Sequence, residues 1–384
     1  RAVLLITLAL AFSILSSSLT FSIDETERLN CYYDTGADLS VPTGTSLNSS
    51  MLKILKQNIS HLTSISGVYR IEYCSHDKYP RSYYFLFVET STYAKTAFID
   101  PCFKLSSSLN HLMNQINDNE SIILFEGNLQ TYFSKPMVGG KISFIFQNAT
   151  KIEHLSFRIG GTFKYWPTLY PYEWEDPSYN FWCIGSLGLF NRLNRSNYYI
   201  NTLNAAYQAK IDSMNNIDET VENIHKVTGI VPNSPALAYK KYSVDFRRHF
   251  LLSILNSDLI ICIVVVVIGV IMFAFFTYIE RGKEIGVERA LGMTRLQTAQ
   301  SFLLEAAAIL AFGSIIGFFT GIYFVTMFLQ ITQFGQTIPP LVVTYPTVLL
   351  IQILLWIFIM AGIGTIIPAF LATRKDISRI LKVE

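Results

Sequence analysis

Four long apolar runs punctuate the chain, at 2–21, 259–278, 302–329 and 347–371, and a polar-mixed stretch of short segments separates the first from the second. A helix that crosses a bilayer needs about 20 predominantly apolar residues, so each run predicts one span. No helix breaker follows the first run through 24–33, and none stands in 243–254 ahead of the second. The pattern therefore predicts two helices that continue past the hydrocarbon as stalks. Within 22–258, aromatic and β-branched residues predict strands at 68–73, 83–89, 121–125, 141–147, 154–158, 181–184 and 206–211. Helices are predicted at 47–62, 105–116 and 219–227, the last with Asp218 as N-cap and Gly229 just beyond its end. An aromatic, proline-punctuated run, YWPTLYPYEWEDP, interrupts two strands and predicts an exposed loop, either a binding surface or a packed lid.

The resulting fold class is an α-helical membrane protein with four transmembrane helices and an inserted extracytoplasmic α/β domain. Residues 1–22 hold the first transmembrane helix and 23–250 the inserted domain. Residues 251–384 hold the other three spans, with a short helix at 279–292 between the second and third. The first run lacks a small-residue cleavage site, which favours a span over a cleaved signal peptide. The chain opens on Arg1 without Met and reads as a fragment or the downstream part of a longer polypeptide.

Composition agrees: of 384 residues 51% are hydrophobic and only 15% charged, and the net charge of +2 is too small and too evenly spread for a nucleic-acid partner. Charge position sets orientation, because Lys and Arg collect on the cytoplasmic side. Arg281, Lys283, Arg289 and Arg295 lie between the second and third runs, and Arg374, Lys375, Arg379 and Lys382 follow the fourth. The link 333–345 carries no charge. The 279–292 segment and the C-terminus are thus placed in the cytoplasm, and the large domain outside, in a multi-pass cell-membrane protein.

Cys31, Cys74, Cys102 and Cys183 all fall in the outside region, where four cysteines allow two disulfides in any of three connectivities, or buried free thiols. Five N-x-S/T sequons, at Asn48, Asn58, Asn119, Asn148 and Asn194, lie in the same region and carry little weight in so Asn- and Ser-rich a sequence. No catalytic set is visible. There is no H-E-x-x-H, and Ile184 occupies the place of the first glycine of a G-x-S-x-G around Ser186. Cys74 with His76 is a poor metal pair without further ligands, so no metal or cofactor is expected. Gly140-Lys141 and Gly282-Lys283 are followed by Ile and Glu, so no phosphate-binding G-x-x-x-x-G-K-[ST] is present and ATP hydrolysis must come from a partner.

The segment ERGKEIGVERALGMTRLQ, 280–297, is the most charged short stretch in the C-terminal half. It predicts a short helix with Ile285, Val287, Ala290 and Leu291 toward an apolar surface and Glu284, Glu288 and Arg289 polar. Gly292 ends it, and Thr294 with Gln297 forms a capping box that starts the next helix. From pattern alone, an amphipathic connector lying on the headgroups fits equally well. In the third span Gly313, Gly317 and Gly321 share one face and predict close helix packing, within the chain or as a homodimer seam. Glu305, near the cytoplasmic end of that span, predicts a headgroup-depth or paired acid.

The run ERGKEIGVERALGMTRLQTAQSFLLEAAAILAFGSIIGFFTG resembles the signature of FtsX/MacB-like permeases of ABC transporters. The tail IPAFLATRKDISRILKVE is similar to that family's C-terminus. The opening LALAFSILSSSLTFSIDETERLNCYYDTGADLSV resembles the start of the downstream half of its long, duplicated members. The resemblance covers about a third of the chain; over the outside domain it is topological only, and the aromatic insert has no counterpart. It implies that the short cytoplasmic helix docks on a separate ABC ATPase subunit, with Glu284, Ile285, Gly286, Arg289, Ala290, Leu291 and Gly292 carrying the contact. Glu288 departs from the family pattern and is left out. It also implies a second permease half or a homodimer, a structural or coupling role for Glu305, a prokaryotic cell membrane, and an extracytoplasmic protein or a lipid-like or peptide substrate. The alternative is a non-transport transducer that activates an outside partner. The apolar spans argue against an aqueous solute channel.

Overall fold

The computed structural model describes residues 2–74, 82–127, 137–148, 151–169, 180–198, 202–244, 246–280, 284, 287–288, 291–332 and 341–374. Two compact units emerge, one made by Thr26–Val244 and the other by residues up to Glu25 with the later long helices.

The first unit is built on an eight-stranded mixed sheet, in the order β1-β8-β2-β3-β7-β4-β6-β5. Its strands are β1 (Leu39–Gly44), β2 (Leu62–Cys74), β3 (Ser82–Val88), β4 (Ile122–Glu126), β5 (Lys141–Gln147), β6 (Ile152–Phe163), β7 (Asn180–Ser186) and β8 (Thr202–Ile211). The β3–β7 and β4–β6 pairs are parallel and the others antiparallel. Side chains alternate across a strand, and in β3 both sets are apolar. Tyr83, Phe85 and Phe87 join one buried cluster, and Tyr84, Leu86 and Val88 join another on the opposite face. A strand buried on both faces reads as a continuous apolar run, which is why 82–88 looks so uniform.

Helices cover these faces. Leu189, Phe190 and Leu193 of α5 (Leu187–Arg195) close the first cluster. Tyr93 of α3 (Thr90–Thr96), with Leu112, Met113 and Ile116 of α4 (Leu109–Asp118), closes the second. A third cluster packs β1 and β8 against α2 (Ser49–Asn58) and α6 (Ile217–Thr228), and α7 (Pro235–Ser243) follows. Ser108 and Ser186 start α4 and α5 by accepting the N–H of His111 and Leu189 at 3.4 and 3.2 Å. At α6 the N-cap is Asn216 rather than Asp218, because the helix begins two residues earlier behind a single 3₁₀ turn; Asp218 and Glu219 sit in its first turn, where a negative charge suits the helix dipole. Gly229 ends α6 at φ 72°, donating to His225 O at 2.8 Å.

The second unit consists of long helices. α1 (Ala2–Thr35, 34 residues) contributes Ala2–Glu25 to it and its last turns to the sheet unit. α8 (Phe246–Glu280), α9 (Arg295–Thr332) and α10 (Thr347–Arg374) supply the rest. Four spans were expected. Among the described residues two stretches are long and apolar enough, Ile6–Thr35 and Leu296–Phe328. Shorter apolar stretches among the described residues are Ile260–Phe273 on α8 and Thr347–Ile359 on α10.

α1 and α9 run parallel in contact. A Cβ placed on Gly313, Gly317 or Gly321 would lie 2.8–3.0 Å from Ile6, Leu10 and Ile14 respectively, advancing by four residues on both helices. Each glycine is thus the hole for one α1 side chain, and the glycine face is occupied within the chain. Polar contacts add to this. Ser16 Oγ donates to Asp258 Oδ2 of α8 at 2.6 Å, and Thr344 N, just before α10, donates to Ser22 Oγ at 3.0 Å. Outward positions such as Ile261, Val264, Phe312, Ile315, Phe319 and Ile351 are exposed and apolar, a belt of the kind that lipid rather than water covers.

Candidate functional site

The segment that leaves α8 and enters α9 is set by two local stop-and-start signals. Leu291 N donates to Val287 O at 2.9 Å, closing a helical turn, and Met293 N reaches back to Glu288 O at 3.1 Å. That six-to-one bond, with Gly292 between at φ 104°, is a Schellman ending. No atom would obstruct a Cβ on Gly292, so the left-handed backbone alone makes glycine fit there.

The next residue but one begins α9. Thr294 N donates to Gln297 Oε1 at 2.9 Å, and Gln297 N donates to Thr294 Oγ1 at 3.3 Å, a reciprocal capping box as the spacing predicts. Two helix ends are therefore sealed within four residues, which makes the turn stiff. Thr294→Ala removes one side of the box. It should cost about 1 kcal/mol, read as a roughly fivefold loss of amide hydrogen-exchange protection in the first turn of α9 with later turns unaffected; equal protection in both proteins would show the box to be idle.

Of the predicted docking residues, Glu284, Leu291 and Gly292 are described and all three are exposed. Ile285, Gly286, Arg289 and Ala290 lie outside the described residues. Leu291 is 84% exposed and Leu296 69%, and Val287 and Met293 are exposed beside them. The stiff turn thus carries an apolar patch flanked by the acids Glu284 and Glu288. Met293 and Leu296 were not among the predicted residues; their apolar character on either side of a capping Thr was the available signal.

Glu305 lies about 15 Å along α9 from its first residue and is half-buried. Gly313, Gly317 and Gly321 meet α1 as described above. Cys31, Cys102 and Cys183 stand as free thiols in this structure. Cys31 is on α1, Cys102 in the 3₁₀ turn Pro101–Phe103, and Cys183 is packed in the aromatic cluster under α5. The Cys74 side chain lies outside the described residues.

The aromatic insert was expected as an exposed loop, either a binding surface or a packed lid; its described residues are 165–169, and its start packs into the core. Trp166 and Leu169 are buried. Trp166 Nε1 donates to Tyr93 Oη at 3.0 Å, Trp166 N to Tyr33 Oη at 3.3 Å, and Tyr33 Oη to Leu169 O at 2.5 Å. Residues 170–179 lie outside the described residues. Two further features were not anticipated: the Ser16–Asp258 bond, which the run Ser16-Ser17-Ser18 and a lone acid at the head of an apolar stretch could have signalled, and a buried carboxylate at Glu126. Among the described residues no group of three His, Cys, Asp or Glu side chains is placed to hold a metal ion.

Residues 257–377 match the family described as FtsX-like permease C-terminal. No curated protein matches the chain. A solved structure described as the extracellular domain of the noncanonic ABC-type transporter YknZ from Gram-positive bacteria is similar at 8% identity, over 51% of this chain and 98% of that chain, with a TM-score of 0.28. That likeness is too slight to bear on function.

Proposed function

Starting from residues 257–377 as an FtsX-like permease C-terminal domain, in a family of membrane subunits of ABC transporters, we propose that the chain is the permease subunit or half-permease of one such transporter, coupling ATP hydrolysis by a separate ATPase to motion of its extracytoplasmic sheet domain. The observation that carries this reading is the apolar patch of Val287, Leu291, Met293 and Leu296 on a turn sealed at both ends. A free loop would not hold such side chains in water, whereas a partner's groove would cover them.

The helices support the same reading. Apolar outward faces suit lipid contact, and α1 is one unbroken helix of 34 residues. In this reading all four long helices span, the sheet domain is outside, and the C-terminus is cytoplasmic. The substrate class that suits spans without a charged lining is a lipid-like molecule or a peptide handled at the outer membrane face. Because α1 fills the glycine face of α9, a second permease copy would join through another face.

The test is recovery of the tagged full chain from its own cells in mild detergent. An ABC ATPase that co-purifies and hydrolyses ATP faster with the chain than alone is the expected result. Recovery of the chain without any ATPase, or labelling of a cysteine placed at position 289 from outside intact cells, would overturn the reading.

A further inference from the structure

Glu126 is the last residue of β4 and is 7% exposed, and its Oε2 has no hydrogen-bond partner among the described residues. Alternation along β4 sends Ile123 and Phe125 to the cluster under α5, and Leu124 to the opposite one. Glu126 therefore points with Leu124, toward the cluster that contains Phe163, Trp166, Leu169 and Trp182. Its backbone register agrees, since Glu126 is paired with Phe163, and Gly127 N donates to Phe163 O at 2.8 Å.

Two titratable groups among the described residues feel its charge: the Tyr33 hydroxyl on α1, which is engaged with Leu169 O and Trp166 N, and the Cys183 thiol on β7. No described cation acts on it, and burial pushes the carboxyl up to about 7. A buried carboxylate that finds neither donor nor counter-charge among the described residues for its Oε2 is costly as an anion and tolerable as a neutral acid.

We propose that Glu126 is a proton-binding site beneath the base of the aromatic insert, so that the packing of Tyr165–Leu169 over the sheet ends is tightest with the proton bound and loosens when it leaves. With the proton on, the carboxyl is a small neutral group on the sheet face that carries the cluster of Phe163, Trp166 and Leu169. With it off, the charge must gain water or donors, and the segment that covers it is the one that can yield. The direction follows from linkage. A carboxyl of ordinary value near 4.5 in the opened state, and near 7 in the packed one, keeps its proton longer when packed. Packing is thus unaffected below about 4.5, weakens as pH rises from there to about 7, and stays at its weaker level above. A domain outside the cell meets such changes in pH directly. The proposal stands apart from any ATPase partner.

The experiment is hydrogen exchange on the full chain in detergent, following the peptide that spans Phe163–Leu169 at pH 5.5 and 8.0, corrected for intrinsic exchange. The wild type should lose protection about tenfold or more between the two values, and Glu126→Gln, which cannot ionise, should hold it constant. If the two proteins lose protection equally, or neither does, the proposal fails. Should Glu126→Gln not fold, Glu126→Met serves as the non-ionising variant, with the same two outcomes.

Discussion

Leu291→Asp is expected to leave the chain folded and inserted but to weaken its hold on the ABC ATPase about 30- to 4000-fold. The first half of that expectation rests on exposure: at 84% exposed, Leu291 contributes little to the fold of the chain alone, and exposed positions away from special features tolerate substitution within about 0.5 kcal/mol. The second half rests on what an acid does in a protein groove. Burying an unpaired charge at an interface costs several kcal/mol, and a loss of about 2–5 kcal/mol corresponds to that range at roughly tenfold per 1.4 kcal/mol. Co-purification of the ATPase and chain-stimulated ATP hydrolysis measure it, with Lys141→Glu on the exposed end of β5 as control. If the variant retains the ATPase at the wild-type level, the segment is a headgroup connector instead.

Trp166→Ala should be the most damaging single truncation in the sheet unit. The ring is fully buried, stacks on Tyr93 at 6.2 Å, and meets Phe163 edge-on at 5.4 Å. Removing so large a buried side chain costs about 3–5 kcal/mol through lost contacts and the cavity left behind. It also strips the Tyr93 hydroxyl, itself fully buried, of its donor. For a unit of this size each kcal/mol shifts Tm by about 2–4 °C, so a fall of roughly 6–20 °C is expected. Trp166→Phe keeps most of the ring and loses the N–H, and should cost about 1–2 kcal/mol. Were the two variants to melt together, the ring's packing would not be what holds the insert down.

Much of this was legible because local rules and tertiary packing agree. The seven anticipated strands exist, and Thr294 with Gln297 forms the expected box, since both signals are carried by residues within a few positions of each other. β1 was missed because Pro42 and Gly44 argue against a strand; it survives because it is an edge strand, with a register shift at those residues. α5 was missed because Ser186 both ends β7 and caps the helix, leaving no loop between them to mark the change. The burial at the start of the insert was not foreseen because its prolines signal a loop, whereas the burial of Trp166 depends on Tyr33 and Tyr93, more than 70 residues away in sequence. Glu126 looks like any acid at a strand end until the neighbouring strands and helices are in place. The residues proposed to dock were picked out by pattern and resemblance, whereas the exposure of Leu291 is visible only in the fold.

The contact between α1 and α9 also imposes an order in time. Thr7 Oγ1 donates to Gly313 O across 306 positions of chain. At about 5–20 residues per second of synthesis, α1 waits roughly 15 s to 1 min before the glycine face that receives Ile6, Leu10 and Ile14 exists. During that wait the buried serines of α1 have no α9 beside them, and for most of it Ser16 also lacks Asp258. β1 meets a shorter delay of the same kind, because Leu39 pairs with Ala209. α1 and β1 are therefore completed only once elements far downstream in the chain have been made.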